Sequence, residues 1–257
     1  MELKDLLALE QDCDPPVEAI VYDRPPPGPR TLAHPHAFIC DDGKTYWVKR
    51  QAQHGLCVEL ICSRLAHAVG CGPTAKPVLV SSAVLPASGE ANHLEGLGVG
   101  ILDVSGAVNT RDLQPFLQNG TFDPGHIDAG SRALVTVFQT WLGVGDTQVM
   151  IQLTSGRVMS VDHGDALGNT SALTDPTPIA LEIQGVDPTV GKNPQDIRHA
   201  VRTMESLTDG ELLDSVACVP SGDPAWQAEP TRRLEIARWL AHRRDKVREV
   251  MERWLSN

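Results

Sequence analysis

WLGVGDTQVMIQLTSGRVMSVDHGDAL, residues 141–167, decides how the rest of this chain is read. It carries two aspartates, Asp146 and Asp162, each beside or inside a glycine-bearing turn and 16 residues apart. The apolar run between them reads as a hairpin over 149–161. A carboxylate able to act as a base, with a second able to hold Mg2+ a few ångströms away, is the equipment of phosphoryl transfer.

Working outward, AFICDDGKTYWVKR (37–50) places β-prone runs on either side of Asp42-Gly43, a hairpin turn signal. Strands are expected at 37–40 and 45–49, the second ending on Lys49. HGLCVELICSRLAHAVG (54–70) reads as a helix, with Cys57, Ile61, Leu65 and Ala68 as its apolar stripe. Gly70 stops it and Pro73 prevents its resumption. Glu59 lies off that stripe, where water is the default neighbour. AKPVLVSSAVL and LEGLGVGILDV supply two more strands. The Pro-rich segment 14–36 reads as a sheet edge or wrapping loop, since proline breaks helices and inner strands. Beyond Gly106 the pattern turns helical, with a polar connection holding one short helix, a buried helix at 128–142 and helices at 196–217 and 229–255. Residues 168–195, rich in Gly, Pro, Asn and Thr, read as a loop with one helix turn. A boundary near 104–106 divides the chain into 1–105 and 106–257.

Composition bounds the function. The chain has 257 residues, 41% hydrophobic and 21% charged, with a formal net charge of −11. That is ordinary for a globular protein with a real core, and the negative field argues against polyanion binding. No apolar run reaches the roughly 20 residues of a membrane span. MELKDLLALEQDCD lacks a signal pattern, so a cytoplasmic protein is expected. The six cysteines (Cys13, Cys40, Cys57, Cys62, Cys71, Cys218) show no C-x-x-C pair and read as buried free thiols. The C-terminal helix is rich in arginine. Ile236, Leu240, Val247, Met251 and Trp254 give it an apolar face, so it reads as an amphipathic packing helix rather than a nucleic-acid binder.

Lys49 ending TYWVK, Glu59 in the next helix, GD at 145–146 and VDHG at 161–164 fall in the order of a kinase cleft. In these residues the chain resembles the HipA-like kinases across roughly 37–257. The resemblance implies an α+β, two-lobed protein-kinase-like fold. Its N-lobe is small and β-rich with one key helix, and its C-lobe is larger and mainly helical. It implies ATP and Mg2+ as cofactors, with Lys49 on the phosphates, Glu59 holding Lys49, Asp162 on the metal and Asp146 as the catalytic base. His163 is expected to position rather than react. The run after Asp146, DTQVMIQL, lacks the arginine and asparagine that the family usually carries. Gln148 offers the same amide oxygen and is the expected second metal ligand. No G-x-G-x-x-G precedes Lys49. The acceptor is a hydroxyl of a protein Ser/Thr, or of a small molecule such as a metabolite or antibiotic. A nucleotide-binding pseudokinase is the third reading.

Overall fold

The computed structural model describes residues 1–25, 35–49, 55–83, 96–144, 148–164, 166–167, 193–222, 226 and 228–256. Five strands, β1 (Val17–Arg24), β2 (His36–Cys40), β3 (Thr45–Lys49), β4 (Val78–Ser82) and β5 (Gly96–Leu102), close into a barrel in the order β1-β2-β3-β5-β4. The β1–β4 pair is parallel and the others antiparallel. The sequence reading of 14–36 as an edge or wrapping loop is therefore corrected for 17–24, where β1 has a neighbour on each side. Pro15, Pro16 and Pro25 bound the strand instead of interrupting it, and VEAIVY between them is β-prone. Phe38, Tyr46, Val48 and Val80 fill the barrel. Its interior is narrow: a Cβ on Gly100 would lie 2.5 Å from Val80 Cγ2, so only glycine fits there.

Helix α2 (Gly55–Ala68) follows β3. Its residues 55–66 are all buried, including Glu59, while Ala68 is exposed. The expected stripe thus holds for Cys57, Ile61 and Leu65 but not for Ala68. The error follows from treating as amphipathic a helix that is covered on every side, where a narrow stripe has no meaning.

A second sheet, β6 (Ala107–Asn109), β7 (Gln148–Gln152) and β8 (Val158–Val161), is antiparallel in that order. Around it pack α3 (Gln114–Gln118), α4 (Ala129–Leu142), α5 (Pro194–Glu205), α6 (Asp209–Ala217), α7 (Pro230–Arg244) and α8 (Val247–Ser256). Both long C-terminal segments are split in two. Thr208 starts α6 with a capping box, its hydroxyl accepting from the Glu211 N–H. Helix α4 is capped at its start by Asp128 and stopped by Gly143 at φ 65°. Val135, Val137, Phe138, Trp141 and Leu142 on α4 are fully buried, each contributing on the order of 2 kcal/mol. One continuous core runs from α2 through Val99 into these helices. It also takes in Leu6 of α1 (Leu3–Leu9), which packs on α6 and α7.

The basic helix spends its charge internally. Arg243 donates to Trp141 O at 2.6 Å and Thr140 O at 3.0 Å, closing the C-terminal end of α4, and lies 4.5 Å from the Trp239 ring. Burial pushes its guanidinium down to about 10. Buried Arg233 donates to Ala217 O at 2.7 Å and pairs with Glu10. Arg244 and Arg248 pair with Asp209 and Glu205. The packing reading of this helix holds.

The free-thiol reading holds for Cys40, Cys57, Cys62 and Cys71, all buried. It is corrected for Cys13 and Cys218, which form a disulfide across 205 residues. Spacing cannot reveal a pair that only tertiary packing of α1 on α6 brings together. Such a bridge persists best in an oxidising compartment. Among the described residues no helix is long and apolar enough to cross a membrane.

Candidate active site

Lys49 ends β3 opposite Val99 of β5, with only 8% of its surface exposed. The strand end is fixed by close backbone packing, since a Cβ on Gly98 would lie 2.7 Å from Lys49 O. The Lys49 ammonium donates to Glu59 Oε2 at 3.0 Å and to Asp162 Oδ1 at 2.5 Å. Residues 49, 59 and 162, separated by up to 113 positions, thus meet at one point. Burial alone would lower the Lys49 ammonium, but the fields of Glu59 and Asp162 outweigh it and hold it above the ordinary lysine value. Burial alone would raise Glu59, yet the adjacent Lys49 charge keeps it below the usual glutamate value.

Asp162 stands at φ 60°, in the left-handed region that an L-residue with a side chain adopts only at a cost. The strained turn is secured on its C-terminal side, where the His163 N–H donates to Glu59 Oε2 at 2.9 Å. Ala166 N and Leu167 N bond to His163 O and Leu142 O. Strain held in place this way is characteristic of functional turns.

Gln148 opens β7 opposite Val161, the residue before Asp162. Its Oε1 accepts from Asn109 Nδ2 at 3.4 Å, and its carbonyl accepts from Gln139 Nε2 at 3.3 Å. The structure therefore brings Lys49, Glu59 and Asp162 into contact and sets Gln148 across the neighbouring strand. Asp146, Asp165 and most of 168–195 lie outside the described residues.

His163 is buried. Its Nδ1 meets Ser63 Oγ at 3.2 Å and its Nε2 meets Ser160 Oγ at 2.8 Å, with the ring edge-on to Phe138. Burial lowers its pKa, against the opposing pull of Glu59. Sequence reasoning missed Ser63, Ser160 and Gln139, the polar residues that surround it. Ser63 had a signal, since it lies one turn from Glu59 on α2 and so shares its face.

Among the described residues no group of three or more His, Cys, Asp or Glu side chains could hold a metal. A protein-only cage is not what Mg2+ on a nucleotide needs, because one or two carboxylates plus phosphates suffice. The Asp162 carboxylate is 30% exposed and has one oxygen committed to Lys49. That arrangement suits a hard cation. A separate cavity of about 680 Å3 opens between α4 and α5, lined by Leu134, Arg157 and His199 among others. None of the constellation lines it, and the Arg157 guanidinium is occupied by the carbonyls of Gly70 and Gly72. The buried charge cluster is the stronger site.

Neither a family model nor a curated protein matches the sequence. Among solved structures the chain is similar to the proinflammatory kinase CtkA of Helicobacter pylori. The TM-score is 0.60 at 12% identity, over 95% of this chain and 99% of that one. A Golgi casein kinase gives a TM-score of 0.42 at 10% identity, over 98% and 77%. The first likeness shows a kinase-like fold. The HipA-like resemblance rests on the residues quoted for it.

Proposed function

We propose that the chain is an ATP- and Mg2+-dependent phosphotransferase, resembling the HipA-like kinases, that moves the γ-phosphoryl group to a hydroxyl of a protein serine or threonine. The observation that carries this reading is Lys49, buried between Glu59 of α2 and Asp162 after β8. Buried lysines are rare. Glu59 alone would neutralise this one, so the second carboxylate has no balancing duty. One ammonium and two carboxylates leave the cluster with a surplus negative charge. A bare triphosphate would be repelled there, and a divalent cation removes the conflict.

Asp162 and the amide oxygen of Gln148 are the residues that would hold Mg2+. Bound there, the ion would neutralise charge on the phosphate oxygens. Lys49 would then exchange Asp162 for phosphate while Glu59 keeps it in place. Asp146 is assigned to accept or orient the proton of the acceptor hydroxyl. In this reading residues 1–105 and 106–257 are the two lobes, and the nucleotide sits between them. Catalysis is then mostly positioning and charge stabilisation.

A second reading, a nucleotide-binding pseudokinase, is favoured by one observation: the Asn109 amide already engages the Gln148 oxygen. Thermal-shift titration with ATP, with and without Mg2+, tests both on wild type and Asp162→Ala. Ligand binding raises the melting temperature by linkage. A Mg2+-dependent rise lost in the variant supports the site, and no rise in wild type sinks it. Mass spectrometry for transferred phosphate then separates kinase from pseudokinase, with Asp146→Asn expected to abolish transfer.

A further inference from the structure

The hydrogen bonds behind Glu59 have a direction, and that direction fixes a proton. At one end, Gln148 O is a backbone acceptor, so the Gln139 side chain must turn its amide nitrogen toward it, at 3.3 Å. The same nitrogen donates its second hydrogen to Ser160 Oγ at 3.1 Å. Flipping the amide would set two acceptor oxygens against each other. At the other end, the ionised Glu59 carboxylate only accepts, and it takes the Ser63 hydroxyl on Oε1 at 3.2 Å. Ser63 has then used its only proton, so its oxygen must accept from His163 Nδ1 at 3.2 Å. His163 Nε2, 2.8 Å from Ser160 Oγ, is left bare to accept the Ser160 hydroxyl. Every donor in the chain Gln139, Ser160, His163, Ser63, Glu59 finds an acceptor with one assignment. The reverse assignment leaves a Ser160 proton buried with none, a loss that a closed site penalises.

We propose that His163 acts as a positioning residue, a neutral ring protonated on Nδ1 that presents the Glu59 carboxylate to Lys49 and ties α2 to β8, the strand that leads into Asp162. The backbone adds to this, since the His163 N–H holds Glu59 Oε2, the oxygen that also receives Lys49. The role depends on the phosphotransferase reading for its effect on turnover, but its geometry is measurable without it.

The decisive experiment is 15N–1H NMR of the histidine side chains at neutral pH, with the His163 signal assigned by its disappearance in His163→Asn. A protonated Nδ1 beside a bare Nε2 is expected. An Nε2–H ring, or a doubly protonated one, overturns the proposal. Activity supplies a second arm. His163→Phe keeps the ring volume and the contact with Phe138 but removes the donor. It is expected to raise KM for Mg-ATP and lower kcat/KM by roughly twofold to tenfold, the worth of one hydrogen bond between neutral groups. His163→Asn, whose amide can stand where Nδ1–H stood, is expected to recover part of that loss, and His163→Gln is not. A Phe variant with unchanged KM and turnover refutes the positioning role. If wild-type protein binds no nucleotide, the phosphotransferase reading fails while the tautomer result still decides the chain.

Discussion

Replacing Lys49 with methionine isolates the central charge cluster. Methionine matches the length of the lysine stem, so the apolar contacts survive and the ammonium goes. Glu59, with a side chain only 3% exposed, is then left without its cation. Removing one partner of a buried pair costs about 3–5 kcal/mol. The lower end applies here, about 3 kcal/mol, because Ser63 Oγ and the His163 N–H still donate to Glu59 and Asp162 is exposed enough to hydrate. For a chain of this size that is a fall of about 6–12 °C in melting temperature. The variant also has a pH signature. Lys49 holds Glu59 below the usual glutamate value in the folded protein, so its contribution is present above the usual carboxylate range and is lost as the pH falls through the depressed folded value. Without Lys49, burial raises Glu59, and the gap between variant and wild type narrows on acidification. Urea unfolding of wild type, Lys49→Met, Glu59→Gln and the double variant at pH 7 and pH 5 measures this. A deficit under about 1 kcal/mol with additive singles would place the pair among ordinary surface ion pairs and refute the argument.

Three further outcomes are expected. Arg243→Ala removes both donors from the end of α4 and should cost about 3 kcal/mol in urea unfolding, whereas Arg243→Lys, which keeps the charge, should lose less. Gly98→Ala forces a Cβ against Lys49 O and should destabilise by about 1–3 kcal/mol while weakening Mg-ATP binding in the thermal-shift assay. An unchanged affinity would mean that the β3 end tolerates displacement. Thiol titration of native protein should find almost no reactive cysteine, because burial pushes Cys40 up to about 11 and Cys57 up to about 12. Reduction of Cys13–Cys218 should lower the melting temperature and expose two more thiols on denaturation, and four free thiols before reduction is the count that checks it.

Local signals were legible where the chain itself carries them. Asp42-Gly43 gave the β2–β3 hairpin, and Gly70 with Pro73 gave the end of α2, because turns and caps are decided by residues a few positions apart. Lys49, Glu59 and Asp162 could be ordered as a cleft, and they do meet. What stayed hidden depends on long-range packing. β1 is a strand because β2 and β4 flank it. Glu59 is buried because α2 is covered on all sides, which a hydrophobic stripe cannot disclose. Cys13 and Cys218 pair because α1 lies on α6. Ser160 carried no pattern, since a hydroxyl gains meaning only from the donors and acceptors that the fold places beside it, whereas Ser63 had only its one-turn spacing from Glu59.

The disulfide has a mechanical consequence. Tension applied at the two chain ends travels through residues 1–13, crosses at Cys13–Cys218 and leaves through α7 and α8. The loop between the bridged cysteines, which stand 205 positions apart and enclose Lys49, Glu59 and Asp162, lies off that line of force. While the bridge is intact, tension between a residue before Cys13 and one after Cys218 cannot extend that loop. After reduction the same pull lengthens the accessible chain by up to about 3.5 Å for every residue released from the loop. The bridge therefore acts as a shunt, and its redox state sets whether the site feels load at all.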